Sequence, residues 1–250
     1  MGVFNCYYDA SGTQKGEGSI VVVGLVSTVE KWIRFEKAWN AALEEFGVTH
    51  FHMKDFAHSR REFQDWKGDE PKRAAFLNRL IGTIKRGAHK AFIVSVSLDE
   101  FAAANRLYQL SELYIGGKAY SFAAFSCMLL ARDWIKRKYP GYRIHDIVEK
   151  GDDGQPELVR LVNLMKWEFC FLPKVDPDNG TRLRAFEAAD LVAWETKRFY
   201  DDFNAQPRVR RMRQSNRRLN EMLPFDGGRL DVEAMCAKYP QFYPPRSTDL

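Results

Sequence analysis

The chain is poor in cysteine, and the four it has (Cys6, Cys127, Cys170 and Cys236) are scattered, with no Cys-x-x-Cys pair. That argues against a disulfide framework and against a structural zinc site. Three of the four lie in apolar surroundings, as small core residues do. Long apolar runs are missing too. The longest, Tyr120 to Leu130, falls short of the ~18 residues that span a bilayer and carries Ser121 and Ser126. The sequence does not open with a basic start and a signal-type apolar core, so a reducing, cytoplasmic location is expected. No Gly-x-x-x-x-Gly-Lys-Ser/Thr loop is present for a nucleoside triphosphate, and no Gly-x-Ser-x-Gly elbow for a serine hydrolase. Internal repeats and low-complexity tracts are also absent.

What is present suits one domain with elaborations: 250 residues, 45% of them hydrophobic, enough for a packed core. The net charge of +5 is mild, but its distribution is uneven. Arg208 to Arg218 holds six arginines in eleven residues and no acid. Such separation favours an anionic partner, with a solvated helix face as the competing reading.

Periodicity predicts an opening hairpin, Val3 to Tyr8 and Ser19 to Val26, around a glycine-containing loop. A helix capped by Ser27 or Thr28 runs to about Phe46, its stripe of Trp32, Phe35, Trp39 and Leu43 facing the core. Thr49 to His52 reads as a short strand, and Asp55 to Gly68 as irregular. Helices follow from Pro71 to Lys85, Lys118 to Lys138, Pro156 onward and Arg184 to Tyr200. Strands are expected at Ala91 to Leu98, Tyr142 to Val148 and Phe169 to Leu172. The whole is a mixed α/β layered fold over 1–202, followed by a basic, helical or irregular appendage over 203–250.

Three acids stand out. Asp9 and Glu149 each close a predicted strand, and Asp190 lies among Ala188, Ala189 and Leu191 on a late helix. Hydrolysis of a phosphodiester with two metals needs carboxylates around cations ~3.5–4 Å apart. Neighbouring strand ends and a closely packed helix can supply them. Asp55 is a possible fourth ligand, and Glu187 shares the face of Asp190. Each acid alone also reads as a turn residue or a buried partner of an arginine. His50, His52 and His58 fit either a transition-metal site or a hydrogen-bonded framework. Lys54 and Lys150, beside the acids, are candidate phosphate contacts, as are Arg210, Arg211, Arg213 and Arg217.

Four segments together resemble domain-of-unknown-function family 3800, a mostly bacterial family of ribonuclease H-like fold. They are Tyr8-Asp9-Ala10-Ser11-Gly12, Phe51-His52-Met53-Lys54-Asp55-Phe56, Val148-Glu149-Lys150-Gly151-Asp152 and Ala188-Ala189-Asp190-Leu191-Val192-Ala193-Trp194-Glu195. Their order and spacing agree over residues 3–200; Ala10 departs from a glutamate common in the family. The resemblance implies an acid on a central first strand, one on the fourth strand and one on a later helix, the roles of Asp9, Glu149 and Asp190. By fold analogy it implies a nuclease dependent on two Mg²⁺ or Mn²⁺ ions, with DNA or RNA as substrate. A non-catalytic nucleic-acid- or protein-binding module on the same scaffold is the rival. A glycoside hydrolase with aromatic platforms is a third option. The oligomeric state is left open.

Overall fold

The computed structural model describes residues 2–13, 18–108, 110, 118–205 and 213–238. Six strands form one mixed sheet: β1 (Val3–Ser11), β2 (Ser19–Thr28), β3 (Lys90–Ser97), β4 (Arg143–Glu149), β5 (Phe169–Leu172) and β6 (Phe225–Arg229). Their order across the sheet is β5-β4-β1-β2-β3-β6. The first three strands pair antiparallel, while β4 runs parallel to β1, β5 to β4 and β6 to β3. Strand β1 is therefore internal, flanked by β2 and β4.

The continuous β-branched run of β2 is explained by burial on both faces. Ile20, Val22 and Val26 enter one core with α5 (Ala119–Lys138) and α6 (Gln155–Leu164). Val21, Val23 and Leu25 enter the other with α1 (Val29–Glu45), α3 (Glu70–Gly87) and α7 (Arg184–Ala205). Thr28 caps α1, accepting from the Lys31 amide, and the expected stripe of Trp32, Phe35, Trp39 and Leu43 is buried. The longest apolar run lies within α5, whose residues 119–129 are all buried inside the protein. Among the described residues, no helix is long and apolar enough to cross a membrane.

Gly24 shows how tightly the first core closes. A Cβ there would lie 2.5 Å from the Tyr8 ring. The room lets the Tyr8 hydroxyl donate to Asp146 Oδ1 at 2.8 Å, while Arg132 Nε donates to Asp146 Oδ2 at 2.8 Å. Asp146 is fully buried, and burial pushes its carboxyl upward against the pull of Arg132.

Some expectations change. Thr49 to His52 is not a strand; His52 precedes the short α2 (Met53–Ala57), and Arg61–Trp66 forms a 3₁₀ helix where irregular chain was expected. The alanine-rich helix α4 (Leu98–Leu107), capped by Ser97, has no counterpart in the sequence reading. Beyond 203 the chain does more than append: α8 (Gln214–Met222) packs on α3 and α7, and β6 joins the sheet before α9 (Val232–Lys238). In β6, Gly227 has φ +102, and a Cβ there would lie 1.9 Å from the Ile93 carbonyl oxygen, so only glycine fits.

Replacing Arg132 by Met keeps the volume and strands the Asp146 carboxylate in the core. The variant should lose about 3–5 kcal/mol in urea denaturation. A loss under about 1 kcal/mol would show that Tyr8 alone satisfies the acid.

Candidate functional site

Strand register sets the first pair of acids. Tyr8 is aligned with Val148 on the parallel neighbour, so Asp9 and Glu149 follow side by side. Asp9 lies two residues inside the end of β1 rather than at its terminus, and is 7% exposed. Its Oδ1 accepts the Ala10 amide at 2.7 Å. Gln155 fixes the turn after β4, donating to the Glu149 carbonyl at 2.7 Å and accepting from the Gly151 amide at 3.2 Å.

A lysine unforeseen from the sequence joins them. Lys174 Nζ lies 3.3 Å from Asp9 Oδ2 and 3.0 Å from Glu149 Oε2. It arrives from β5: Glu149 is aligned with Leu172, and Lys174 comes two residues later, its carbonyl accepting the Leu183 amide. Burial pushes the Asp9 carboxyl well above the usual carboxylate range. Lys174 opposes this, while repulsion from Glu149 and Asp190 and a hydrogen bond shared with Glu149 add to it. Burial disfavours the Lys174 ammonium, yet the charges of Asp9, Asp190 and Glu149 outweigh burial and raise its pKa above the ordinary lysine value.

Asp190 comes from α7, which packs across β1 and β2 with Ala185, Ala188, Ala189 and Ala193 buried. Its Oδ2 accepts the Met53 amide at 2.9 Å, at the start of α2. One turn earlier, fully buried Glu187 accepts from Trp39 Nε1 at 2.8 Å, the Phe51 amide at 3.2 Å and Arg184 Nη1 at 2.7 Å. Glu187 thus pins Phe51 and α1 to α7, as Asp190 pins Met53. It positions the site, although the sequence showed only that it shares a helix face with Asp190.

The other expected residues divide. Asp55 Oδ2 lies 3.3 Å from His52 Nδ1 and 3.5 Å from Arg61 Nε with no hydrogen bond of its own, and His52 Nε2 is 4.0 Å from Asp190 Oδ2. His50 faces Glu62 at 3.5 Å, a framework contact. A cleft of about 440 Å³ opens beside Asp190, lined by Lys54, His58, Trp194, Arg198 and Arg213 among others. The Arg213 guanidinium lies 5.1 Å over the Trp194 ring. Arg217 points elsewhere, exposed and paired with Glu221 at 3.4 Å. Lys150 is exposed at the turn after β4 and does not line the cleft. Arg210 and Arg211 lie outside the described residues.

Among the described residues, no three His, Cys, Asp or Glu side chains are arranged to hold a metal ion, and Asp9 and Glu149 already hold an ammonium. The donor chemistry is nonetheless that of a hard-cation site: oxygen only, anionic and shielded from water. Asp152, in the segment after β4, belongs to the same field. Burial, with repulsion from Asp9, raises its carboxyl to about 6, against a Thr13 hydrogen bond and Lys174.

Comparison with known proteins finds no matching family model and no matching curated protein.

An acid whose folded pKa is raised binds its proton more tightly when folded, so its contribution to stability falls as pH rises. For Asp152 the window runs from about 4, the unfolded aspartate value, to about 6. Thermal melts across that window should show the wild type losing stability relative to Asp152→Asn as pH rises. A flat difference would mean that Asp152 titrates as a free aspartate.

Proposed function

We propose that the protein is a metal-dependent nuclease of ribonuclease H-like fold, hydrolysing phosphodiester bonds of nucleic acid. The observation that carries this is the convergence of Asp9 and Glu149, from neighbouring parallel strands, on one cation within the field of Asp190. An internal first strand, the adjacent fourth strand and a late helix are also the three positions that the resemblance to family 3800 implies.

Asp9, Glu149 and Asp190 would hold Mg²⁺ or Mn²⁺ in place of the Lys174 ammonium, with Asp55, joined to Asp190 through His52, as a further oxygen ligand. Bound there, two such ions supply charge neutralisation at the attacking and leaving oxygens of an in-line displacement. The remaining tasks fall to the chain itself. Lys54, Arg198 and Arg213 give the cleft cationic groups for phosphates, and Trp194 gives it an aromatic surface. His52, adjoining Asp190, is placed to carry a proton at Nε2. Glu187, through Trp39 and Phe51, and Asp190, through Met53, keep α1, the segment entering α2 and α7 in register so that these groups meet.

One observation favours a non-catalytic binding module instead: Lys174 already neutralises the acids, which a decayed site would retain as a plain ion-pair network. Incubation of single- and double-stranded DNA and RNA with Mg²⁺ and Mn²⁺ separates the two. Asp9→Asn should cut cleavage at least about a hundredfold, the equivalent of about 2.7 kcal/mol in the barrier. Absence of cleavage by the wild type on every substrate, with nucleic-acid binding intact, would establish the module.

Binding itself should track the cleft. Replacing Lys54 and Arg213 by Gln should weaken affinity and flatten the slope of log K against log salt, by about 0.7–0.9 per lost phosphate contact. Replacing Lys150 should leave the slope unchanged. Equal effects from both would place the nucleic acid outside the cleft.

A further inference from the structure

We propose that Lys174 is a built-in counter-ion that holds the Asp9–Glu149 pair closed until a divalent cation displaces its ammonium. This rests on the metal-dependent reading of the site and adds a step to it.

One ammonium within hydrogen-bonding reach of both carboxylates does the work of a bound cation. Asp9 and Glu149 repel each other in a buried setting, and one oxygen of each, Asp9 Oδ2 and Glu149 Oε2, lies against Lys174 Nζ, at 3.3 and 3.0 Å. A divalent ion would need those same oxygens at ~2.0–2.1 Å if it is Mg²⁺. It would then sit against the ammonium, and two like charges at that distance exclude each other. Occupancy by one means departure of the other.

The structure allows that departure. Lys174 lies beyond the end of β5, with its backbone secured by the Leu183 amide and by the neighbouring bridge between Val175 and Arg182. Its four-carbon stem can swing the ammonium away without breaking a sheet pair. The pair is thus closed when metal is scarce and opens only when metal binds strongly enough to replace a good ion pair.

Two measurements test this on the full chain. Calorimetric titration with MnCl₂ should show Lys174→Met binding Mn²⁺ at least about tenfold more tightly than the wild type. In the wild type, acetylation of Lys174 by acetic anhydride, read by peptide mass spectrometry, should be slow in metal-free buffer. It should accelerate several-fold in millimolar MnCl₂, and Asp9→Asn should abolish that acceleration. Mn²⁺ binding to the wild type with no gain in Lys174→Met, and acetylation indifferent to MnCl₂, overturns the counter-ion while leaving the nuclease standing. Failure of both proteins to bind Mn²⁺ overturns the counter-ion and the metal site together. If Lys174→Met does not fold, the acetylation rates of the wild type decide alone.

Discussion

A helix can lie close across two strands only if the side chains beneath it are small, and α7 meets that constraint with a run of alanines against β1 and β2. The acids that α7 brings to the site follow from this close approach. Glu187 and Asp190 are carried into places where water cannot reach them freely, and buried acids require partners. Glu187 finds three donors, Trp39 on α1, the Phe51 amide in the loop before α2, and Arg184 on its own helix. Asp190 finds the first amide of α2. The loop after α1 is therefore shaped by the carboxylates it satisfies, although it has no strand or long helix of its own.

The same accounting separates the two faces of the sheet. On the α5 side, Asp146 is matched by Tyr8 and Arg132 and is finished, a closed polar unit in an apolar core. At the C-terminal ends of β1 and β4, Asp9, Glu149 and Asp152 gather around one ammonium and remain under mutual repulsion. Acids matched one-to-one stabilise a fold. Acids in excess of their counter-ions are poised to take up charge, which is why this end of the sheet carries the functional assignment.

Much of this was legible in the chain. Apolar alternation and caps located the hairpin, α1, α3, β3, α5, β4, α6, β5 and α7, because each has a period or a stop signal of its own. Asp9 and Glu149 could be paired in advance because strand ends in one sheet are neighbours. Lys174 could not be read off. It stands in a polar stretch without period, and its role appears only once β5 is aligned with β4, which delivers the residue two places beyond Leu172 to the edge where Glu149 ends. Strand β6, with sequence Phe-Asp-Gly-Gly-Arg, lacks β-formers, and its partner β3 lies more than a hundred residues earlier. Helix α4 was missed because it follows β3 with no turn between them, Ser97 being both the last residue of the strand and the cap of the helix. The arginine segment was read as one unit, whereas Arg213 turns to the cleft and Arg217 to Glu221.

The two rims of the sheet have a further consequence. A long, flat outer strand invites another chain to add itself, the first step of fibrous assembly. Here one rim is a four-residue strand, and the other is β6, whose backbone at Gly227 takes a conformation foreign to extended strands. Neither offers a straight row of amides and carbonyls to a newcomer. The glycine that makes β6 hard to recognise also gives the sheet a blunt border, one less open to the addition of a strand from another copy.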